Sequence, residues 1–583
     1  MINLKIKTIL FSIYIEIFIL IILIKSYYIN KILIQQDSTF YYRFFQSIFH
    51  DSFIYFLILL LIFISFLGII PKFFSMLLRF IALNITFLYL IDIYILLSFY
   101  NHLTINDILK YYNYAINFLF QIYTINFYTM ILIFFIVLFS SIFIFNSYKI
   151  KSKKTYLKFI IPILLLLFLY SFAKDGKYIH SWLNKNFIEY NIEINDQTKE
   201  YTKEFIKNIQ DPENLIYKNS SPSYPNIIVL MVESLASYQS QYFSGIKNWT
   251  PNLDKIAKDN ISFLNFFANG FVTEDAEVSI NTGEFPLYAP KAYTNGGGVS
   301  FTGFYNMEES LPNILKRFNY HTEFITSSDL HFSNTGEWAK SNGFEYIEGS
   351  ENSYYTNKQR FHFNAAADEF LYDRVIDRVK KQNKQYYLFI KTVSSHAPFR
   401  NPENNSSSEE ETIKYIDKQI GIFYKKLKQN SFFDDGLLII VGDHHPVIPI
   451  RNEELDRFGE LKSSSIVPMV VAYKNKNFSV KENFQQVDIY NSIKNLVSKI
   501  SSTSKWKGDF LSEKMVTPKY IVHRRGDKRG IVSIFTEKDE FNIKFYGDET
   551  HILDNSIYPE VIEKINFTRI KRLNPKYQFI DSK

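Results

Sequence analysis

The chain has 583 residues, a formal net charge of +7 and a mean hydropathy of −0.07, and 47% of its residues are hydrophobic. This length is more than one ordinary soluble domain needs, and the modest charge forms no basic stripe, so we expect at least two domains and no nucleic-acid partner. Cysteine is absent from the sequence, which excludes disulfides, cysteine zinc sites and a cysteine nucleophile.

The first part of the chain is much more apolar than the rest. Five stretches approach or exceed the roughly 20 residues that a helix needs to cross a membrane. They cover residues 8–24, 52–70, 73–100, 128–145 and 157–173. More spans follow the first stretch, and no small-residue cleavage site ends it, so we do not expect a cleaved signal peptide. We therefore predict an anchor of five transmembrane helices over residues 1–173.

Lysine and arginine in the short loops indicate the orientation of this anchor. If the N-terminus lies inside, the inner loops hold more of these residues than the outer loops, as the positive-inside rule requires. Five crossings then place everything after residue 173 outside. Pro71 and Lys72 mark the turn between the second and third spans, and a merged hairpin there would reverse the topology. Residues 101–127 are half apolar and could form an interfacial helix.

Glu16 and Asp92 lie inside predicted spans, where a charge is costly. In a functional role, either residue could contact a lipid headgroup or make a packing contact. The alternative is a polar residue near the membrane interface or one that faces a neighbouring helix. The sequence alone leaves both interpretations open.

After a polar linker over residues 174–222, the sequence alternates between strand-like and helix-like stretches. Continuous apolar runs predict buried parallel strands at 226–232, 322–326, 386–390 and 436–441. Helical patterns lie between or after them at 251–259, 311–318, 366–382 and 412–429. This alternation predicts an α/β domain over residues 223–516, with a mostly parallel central sheet and helices on both faces.

The last part, residues 517–583, reads as β-rich. Alternating stretches at 520–523 and 530–535 predict a hairpin, and a charged segment at 524–529 forms its turn. The basic turn could face anionic lipid or polymer, or it could be a solvated tip. We expect a small antiparallel sheet here that belongs to the same domain.

Polar residues follow three of the predicted strands. Glu233 follows the first, His396 lies after the strand at 386–390, and Asp443 and His444 follow the strand at 436–441. Because ligands of open α/β sheets bind at the carboxyl ends of the strands, these side chains should converge. An Asp-His pair after a strand is often only a turn, but two carboxylates and an imidazole together suit a divalent ion. Carboxylates favour Mg²⁺ or Mn²⁺, and the imidazole moves the preference toward Mn²⁺ or Zn²⁺.

Thr273 stands just before a probable helix, where free backbone N–H groups favour an anion. Its hydroxyl would lose a proton more readily beside a bound ion and could act as a nucleophile. His396 could then protonate a leaving alkoxide or hold a phosphate oxygen. The combination of these groups, rather than any one of them, predicts a metal-dependent enzyme that acts on phosphate esters.

Five motifs together carry a family resemblance. They are Val232-Glu233-Ser234, Thr250-Pro251, Thr273-Glu274-Asp275-Ala276-Glu277, Ser395-His396-Ala397-Pro398 and Gly442-Asp443-His444. In order and spacing they resemble the lipoteichoic acid synthase family, which belongs to the alkaline phosphatase and sulfatase superfamily. The resemblance covers a five-helix membrane domain, a linker and an extracytoplasmic sulfatase-like domain. It is strongest over residues 226–497.

The resemblance implies a chemistry. Glu233, Thr273, Asp443 and His444 would bind one divalent ion, usually Mn²⁺, with Mg²⁺ or Zn²⁺ as alternatives. Thr273 would attack the phosphorus of phosphatidylglycerol, release diacylglycerol and form a glycerophospho-threonine. A cell-envelope polymer or glycan would then accept the glycerol phosphate. His396 matches the substrate-binding histidine of the family. The implied location is a bacterial cytoplasmic membrane, with several spans and the catalytic domain on the extracytoplasmic side.

The sequence departs from the family in the loop that grips glycerol phosphate. The family has a Trp and an Arg there, whereas residues 330–337 contain neither, although His331 and Trp338 are close and could contact the substrate. His445 follows His444 and is either a further phosphate contact or a solvated residue at the rim of the pocket.

These departures keep other functions open. The same fold could transfer phosphoethanolamine, although such transferases usually carry disulfides, or it could hydrolyse a phosphodiester. A true sulfatase is disfavoured, because its formylglycine is made from Cys or Ser and not from Thr. A membrane sensor with an inactive domain is the non-enzymatic alternative, and the intact set of Glu233, Thr273, Asp443 and His444 argues against it.

Overall fold

The computed structural model describes residues 19–30, 40–67, 69–99, 102–105, 153–174, 181–196, 199–289, 301–526, 530–552 and 558–573. The chain forms two compact units. A helical unit contains Met1–Ile108, Tyr123–Glu193 and Pro449–Asn452, and an α/β unit contains Leu109–Ile122, Ile194–Ile448 and Glu453–Lys583.

In the described part of the helical unit, one long helix packs against two others. Its helices are α1 (Phe40–Phe66), α2 (Lys72–Phe99), α3 (Lys153–Tyr170) and α4 (Phe187–Asp196), with a shorter apolar helix at Ile19–Asn30 and a 3₁₀ turn at Ser181–Asn184. Helix α1 packs against both α2 and α3. Within the described residues, Tyr41–Phe66 and Lys72–Leu97 are the two segments long and apolar enough to cross a membrane.

The anchor prediction is therefore supported for two helices and not for five. The stretch at 128–145, most of the stretches at 8–24 and 101–127, and Glu16 lie outside the described residues. The second span begins earlier than predicted, because α1 already starts at Phe40. Asp51 lies in this earlier part of the helix, and its buried carboxylate lies 2.7 Å from the Lys25 ammonium.

Two further predictions for this region concern Pro71 and Asp92. The turn at Pro71 is confirmed, because α1 ends at Phe66 and α2 begins at Lys72. Asp92 is buried, and its carboxylate bonds the His102 ring at 3.0 Å and the Leu103 N–H at 2.7 Å. Asp92 therefore contacts polar groups inside the protein, and its two interpretations stay predictions.

The described part of the α/β unit contains three sheets. Its strands are β1 (Ile216–Asn219), β2 (Asn226–Val232), β3 (Ile261–Phe267), β4 (His321–Thr326), β5 (Tyr346–Glu348), β6 (Tyr386–Lys391), β7 (Gly436–Gly442), β8 (Met469–Ala472), β9 (Phe478–Gln485), β10 (Ile500–Thr503), β11 (Ile521–Arg524), β12 (Ile531–Phe535), β13 (Glu540–Lys544) and β14 (His551–Ile552). Eight of them form one sheet in the order β5-β4-β6-β2-β7-β8-β3-β9, in which β8 runs antiparallel to its neighbours. The mostly parallel sheet that the sequence predicts is confirmed.

The described helices of the α/β unit are α5 (Lys203–Asn208), α6 (Pro251–Asp259), α7 (Thr273–Thr282), α8 (Leu311–Arg317), α9 (Thr335–Ser341), α10 (Asp368–Val379), α11 (Glu409–Gln429), α12 (Asn452–Ser463), α13 (Gln486–Val497) and α14 (Pro559–Lys571). Helices α7, α8, α9 and α13 pack on one face of the eight-stranded sheet, and α6, α10 and α11 pack on the other. Single 3₁₀ turns lie at Ser237–Gln239, Phe332–Asn334, Ser353–Tyr355, His362–Asn364 and Phe432–Asp434.

The central strand β2 shows how the apolar runs become a buried sheet. Successive side chains of a strand point to opposite faces, so Ile227, Val229 and Met231 enter one core while the residues between them enter the other. Helices α7, α8 and α13 close the first core, and α6, α10 and α11 close the second. A strand buried on both faces has no polar alternation, which is why its sequence is continuously apolar.

The smaller sheets flank this core. Strands β11 to β14 form an antiparallel sheet, and β11 pairs with β12 as the predicted hairpin. Residues 527–529 of its turn lie outside the described residues. Strands β1 and β10 form a separate antiparallel pair.

Candidate metal centre

Three buried ligand side chains meet at the carboxyl ends of β2 and β7. The two strands are paired in register, with Val232 opposite Gly442, so Glu233 and Asp443 leave the sheet side by side. Ligand atoms of Glu233, Asp443 and His444 all lie within 4.8 Å of one another. The His444 Nε2 atom lies 3.2 Å from Asp443 Oδ2 and 3.7 Å from Glu233 Oε1. The structure thus brings together three of the four residues that are predicted as metal ligands.

The surrounding hydrogen bonds leave the right atoms available for a cation. His444 Nδ1 lies 2.8 Å from the His445 carbonyl, so Nδ1–H donates there and Nε2 is the ring nitrogen that could bind a cation once its proton is displaced. Asp443 Oδ1 accepts from the N–H groups of Ser234 and His444, both at 2.7 Å. Asp443 Oδ2 is buried and has no hydrogen-bond partner within the described residues. A buried acceptor without a partner needs an explanation, and a bound cation supplies one. The residues present fit one divalent ion.

The pKa shifts of these groups also favour a bound divalent ion. Burial and the neighbouring Asp443 raise the pKa of Glu233. Burial lowers the pKa of His444, but Asp443 and Glu233 outweigh it and raise that pKa to about 10. Without an ion, two buried carboxylates therefore hold the imidazole in its protonated form. A divalent cation would replace that proton and balance the second carboxylate.

Thr273 lies beside these ligands as the first residue of α7. Its Oγ1–H donates to Glu233 Oε2 at 3.0 Å, and Oγ1 lies 3.4 Å from His444 Nε2. The first turn of the helix is held by Asp275, whose carboxylate accepts from the Phe271 N–H at 2.9 Å and from the Arg524 Nε–H at 3.2 Å. The hydroxyl is thus directed at the ligand cluster by a fixed helix start.

The loop after β6 holds the other side of Glu233. Thr392 Oγ1 accepts from the Glu233 N–H at 3.0 Å, and the Ser395 hydroxyl donates to the Glu233 carbonyl. Ser234 has a positive φ of 53°, a conformation that non-glycine residues rarely adopt. It turns the chain so that Ser234 Oγ–H donates to Glu233 Oε1 at 2.7 Å. Backbone and side chain of Glu233 are therefore both fixed by polar contacts.

His396 follows in the same loop. Burial lowers the pKa of its imidazole to about 4, so it is neutral at pH 7. Phe363 packs against its ring edge to face at a centroid distance of 4.7 Å, and His396 Nδ1 is buried without a hydrogen-bond partner in the described part of the chain. A neutral imidazole offers an N–H to a phosphate oxygen, whereas it lacks the extra proton that a leaving alkoxide needs. The role of His396 as a phosphate contact or as a proton donor stays a prediction.

Three residues that the sequence suggested as substrate contacts do not join this cluster. Trp338 is fully buried, stacks on Phe301 at a centroid distance of 4.4 Å and donates its indole N–H to the Phe304 carbonyl at 3.1 Å. It belongs to the core and lies outside the ligand cluster, so the structure does not support its suggested role as a substrate contact. The helical periodicity of α9 directs the Trp338 indole into the core, and the residues next to it in the sequence do not reveal this.

His445 is neither solvated nor available to phosphate. It is buried, with Nε2 2.8 Å from Glu454 Oε2 and Nδ1 2.8 Å from the Pro446 carbonyl. The structure supports neither suggested role of His445, because α12 places Glu454, nine residues later in the sequence, against its ring. His331 lies on an exposed loop, with Nδ1 3.0 Å from Asp329 Oδ1 and 3.6 Å from Glu351 Oε1.

Some residues around the site could not be selected from the sequence. His362 and Phe363 lie in a 3₁₀ turn more than thirty residues before His396, yet their rings lie at centroid distances of 6.0 and 4.7 Å from the His396 ring. His362 Nε2 lies 2.7 Å from the Pro398 carbonyl, in the loop that also carries His396. No spacing rule connects such residues, because only the folded loops bring them together.

Comparison with known proteins identifies the α/β region. Residues 225–503 match the sequence profile of the Sulfatase family. They form a sulfatase-family domain. This domain contains Glu233, Thr273, His396, Asp443 and His444, and the family resemblance predicted from the motifs is confirmed at this level.

Individual relatives of the sulfatase-family domain carry more specific names. The chain is 24% identical over 270 residues to "Lipoteichoic acid synthase 2" of Bacillus subtilis. This alignment covers 43% of this chain and 40% of that protein. It is 23% identical over 263 residues to "Phosphoglycerol transferase I" of Escherichia coli O127:H6, covering 39% and 32%. The match thus spans less than half the length of either relative. The crystal structure of the lipoteichoic acid synthase LtaP from Listeria monocytogenes aligns with a TM-score of 0.46 and 20% identity, covering 63% of this chain and 95% of that one.

Proposed function

We propose that the chain is a membrane-anchored, metal-dependent transferase. It moves a glycerol phosphate group from phosphatidylglycerol to a hydroxyl of a cell-envelope polymer or glycan. The observation that carries the proposal is the position of the Thr273 hydroxyl, 3.0 Å from a Glu233 oxygen and 3.4 Å from His444 Nε2 at a buried cluster of cation ligands. The names of the two curated relatives support the choice of transferred group.

Glu233, Asp443 and His444, with the Thr273 oxygen, would hold one divalent ion. Mn²⁺ suits this mixture of carboxylate and imidazole ligands best, and Mg²⁺ and Zn²⁺ are the alternatives. When bound, the ion would lower the pKa of the Thr273 hydroxyl and offset the negative charge of the phosphate.

In the first step Thr273 Oγ1 attacks phosphorus. A bond forms between Oγ1 and phosphorus, and the bond from phosphorus to the diacylglycerol oxygen breaks. The hydroxyl proton leaves through Glu233 Oε2, which already accepts it in a hydrogen bond, and ends on the diacylglycerol oxygen. His396 donates an N–H to a phosphate oxygen and holds the group in line for attack. The product is a glycerophospho-threonine.

In the second step an acceptor hydroxyl attacks the same phosphorus. The bond from Oγ1 to phosphorus breaks, the new ester forms, and the acceptor proton returns to Thr273. The enzyme is thereby regenerated without net gain or loss of atoms. Water in place of the acceptor would make the same chain a phosphodiesterase.

The apolar helices support a membrane location for this reaction. We propose that the helical unit is a multi-pass anchor in the bacterial cytoplasmic membrane and that residues 223–583 are extracytoplasmic. The two helices long enough to span a bilayer support the anchor, and a lipid donor in the same membrane explains its use. Residues 174–222 would then connect the anchor to the catalytic part.

A different donor headgroup is the second candidate, and one observation favours it. Residues 330–337 contain no Trp or Arg, and His331 on this loop is exposed with its ring paired to Asp329. Phosphoethanolamine transfer, or hydrolysis, fits the same metal centre without a dedicated glycerol grip.

The test supplies the full-length protein in vesicles with headgroup-labelled phosphatidylglycerol or phosphatidylethanolamine. We expect Mn²⁺-dependent loss of label from phosphatidylglycerol that disappears in Thr273→Ala. Label lost from phosphatidylethanolamine instead would establish the second candidate. If neither lipid loses label in a Thr273-dependent way, both functions are wrong. Metal analysis of a Glu233→Ala, Asp443→Ala double variant tests the site itself, since a retained stoichiometric ion would place it elsewhere.

A further inference from the structure

A buried ion pair lies one helical turn behind the proposed nucleophile. Lys391 is the last residue of β6, and its ammonium lies 3.2 Å from Glu277 Oε1 on α7. The Glu277 side chain is fully buried and that of Lys391 is 10% exposed. Neither carboxylate oxygen of Glu277 has a hydrogen bond within the described residues, so the ammonium is the charge that balances it. Neither residue takes part in the chemistry described above.

The pair belongs to a row of contacts between one face of α7 and one strand. Thr273, Glu277 and Asn281 are four residues apart and therefore share a face of the helix. Asn281 Oδ1 accepts from the Tyr387 hydroxyl at 2.8 Å, and Tyr387 lies four residues before Lys391 on β6. Two successive turns of α7 are thus tied to β6, and the next turn toward the sheet edge begins with Thr273.

The same strand continues into the residues that hold Glu233. Thr392, directly after Lys391, accepts from the Glu233 N–H, and Ser395 donates to the Glu233 carbonyl. Lys391 therefore stands where α7, which carries Thr273, meets the segment that fixes Glu233. A shift of α7 along or away from β6 would change the distance from Thr273 Oγ1 to the Glu233 carboxylate.

A buried ion pair is a costly way to join a helix to a strand. Replacing such a pair by apolar residues is often neutral or stabilising, and the Tyr387–Asn281 contact shows that a neutral hydrogen bond fits this interface. Burial raises the pKa of Glu277 to about 7, and the Lys391 ammonium opposes that rise. The charged pair is therefore not explained by stability alone, whereas a strong electrostatic attraction between α7 and β6 close to the reacting group does explain it.

We propose that Lys391 and Glu277 are positioning residues whose ion pair fixes the first turns of α7 against β6 and so holds the Thr273 hydroxyl at the metal ligands. The inference rests on the proposed function, because it takes the Thr273 oxygen to be part of the metal site. It assigns a role to two residues that touch neither the ion nor the substrate.

The test is a double-mutant cycle on the full-length protein in detergent. Lys391→Met is made with Thr273 and with Thr273→Ala, and Mn²⁺ affinity is measured by titration calorimetry for all four proteins. We expect Lys391→Met to weaken Mn²⁺ binding by about 10- to 100-fold when Thr273 is present, the range found for residues that orient metal ligands. In the Thr273→Ala background the same substitution should have no further effect, because it acts through the missing hydroxyl.

Tyr387→Phe is the matched control, since it removes a contact of the same helix face with the same strand one turn farther away. It should leave Mn²⁺ affinity and kcat unchanged, whereas Lys391→Met should lower kcat on phosphatidylglycerol more than it changes KM. If thermal unfolding shows that Lys391→Met does not fold, Glu277→Gln replaces it, because the amide keeps the shape and removes the charge. Its expected effects have the same direction.

The outcomes separate the inference from the proposed function. If Lys391→Met weakens Mn²⁺ binding equally in both backgrounds, or leaves it unchanged, the positioning role is overturned while the metal site stands. Equal effects of Lys391→Met and Tyr387→Phe would overturn it as well, because they would reduce the pair to general packing. If the wild-type protein binds no Mn²⁺, the proposed function fails and the inference fails with it.

Discussion

The metal side and the loop side of the site are built differently. On the metal side, Glu233, Asp443 and His444 come directly after paired parallel strands, and Thr273 begins a helix. The loop side consists of the segment at 330–337, the turn at His362–Asn364 and His396. These residues lie in loops and 3₁₀ turns rather than directly after paired strands.

This difference separates chemistry from specificity. Strand ends are fixed by hydrogen bonds along the sheet, so the metal side should serve every substrate of this site in the same way. Loops tolerate change far more readily, so the loop side should decide which headgroup and which acceptor are used. Substitutions on the two sides should therefore give different kinetic patterns.

The sharpest test of the metal side is Thr273→Ala. We expect transfer to fall by about a thousandfold or more, because loss of a nucleophile abolishes the covalent route. Thr273→Ser keeps the hydroxyl and should retain much of the activity. The measurement is kcat on labelled phosphatidylglycerol at saturating Mn²⁺. Equal losses in both variants would mean that the methyl group, and not the hydroxyl, matters.

The protonated His444 predicts how metal binding depends on pH. Its pKa of about 10 means that a proton occupies Nε2 at neutral pH in the metal-free protein, and an ion must displace it. Mn²⁺ affinity should therefore rise with pH, by about tenfold per pH unit between pH 6 and 9. Calorimetry in buffers of different ionisation enthalpy should show about one proton released per ion bound. Affinity that is flat over this range would contradict the assignment of His444 as a ligand.

On the loop side, substitution of His396 should affect substrate binding more than it affects Mn²⁺ binding. We expect His396→Ala to lower kcat/KM by about 100-fold, as removal of a donor to a developing charge does. His396→Gln keeps an N–H donor and should lose less. Mn²⁺ affinity should stay the same in both. A change in Mn²⁺ affinity comparable to the kinetic loss would erase the distinction between the two sides.

The smallest effects on catalysis are expected at Trp338 and His331. Trp338→Ala should destabilise the domain by about 3–5 kcal/mol, because it empties a core position, yet leave kcat per folded molecule near the wild-type value. His331→Ala should change neither stability nor kcat on phosphatidylglycerol, since its ring is exposed. Denaturant unfolding and kinetics on the same samples check both. A large kinetic loss in His331→Ala would show that the 330–337 loop grips the headgroup after all.

The two sides also differ in how far the sequence revealed them. The strands that carry Glu233 and Asp443 were predicted within one residue, because buried parallel strands are continuously apolar and end in polar residues. The convergence of those residues follows from the rule that parallel strands end at the same edge. The hairpin β11–β12 was found in the same way, from its alternating pattern.

What the sequence did not reveal depends on long-range contacts. Helix α1 begins at Phe40, before the predicted span, and Asp51 in this part is paired with Lys25 from an earlier helix. Trp338 and His445 lie close to the motifs in the sequence. Trp338 instead faces the core of the fold, and His445 is paired with Glu454. Phe363 and Lys391 carry no motif, because only the folded loops and the helix α7 give them their neighbours.

The most direct measurement of the central claim is the mass of the protein during turnover. Full-length protein is incubated with Mn²⁺ and phosphatidylglycerol without an added acceptor, stopped in acid and digested for mass spectrometry. The account predicts one added glycerol phosphate group on the peptide that contains Thr273, and none in Thr273→Ala or in the Glu233→Ala, Asp443→Ala double variant. Transfer that proceeds at the wild-type rate with no adduct, or with the adduct on another residue, would contradict it.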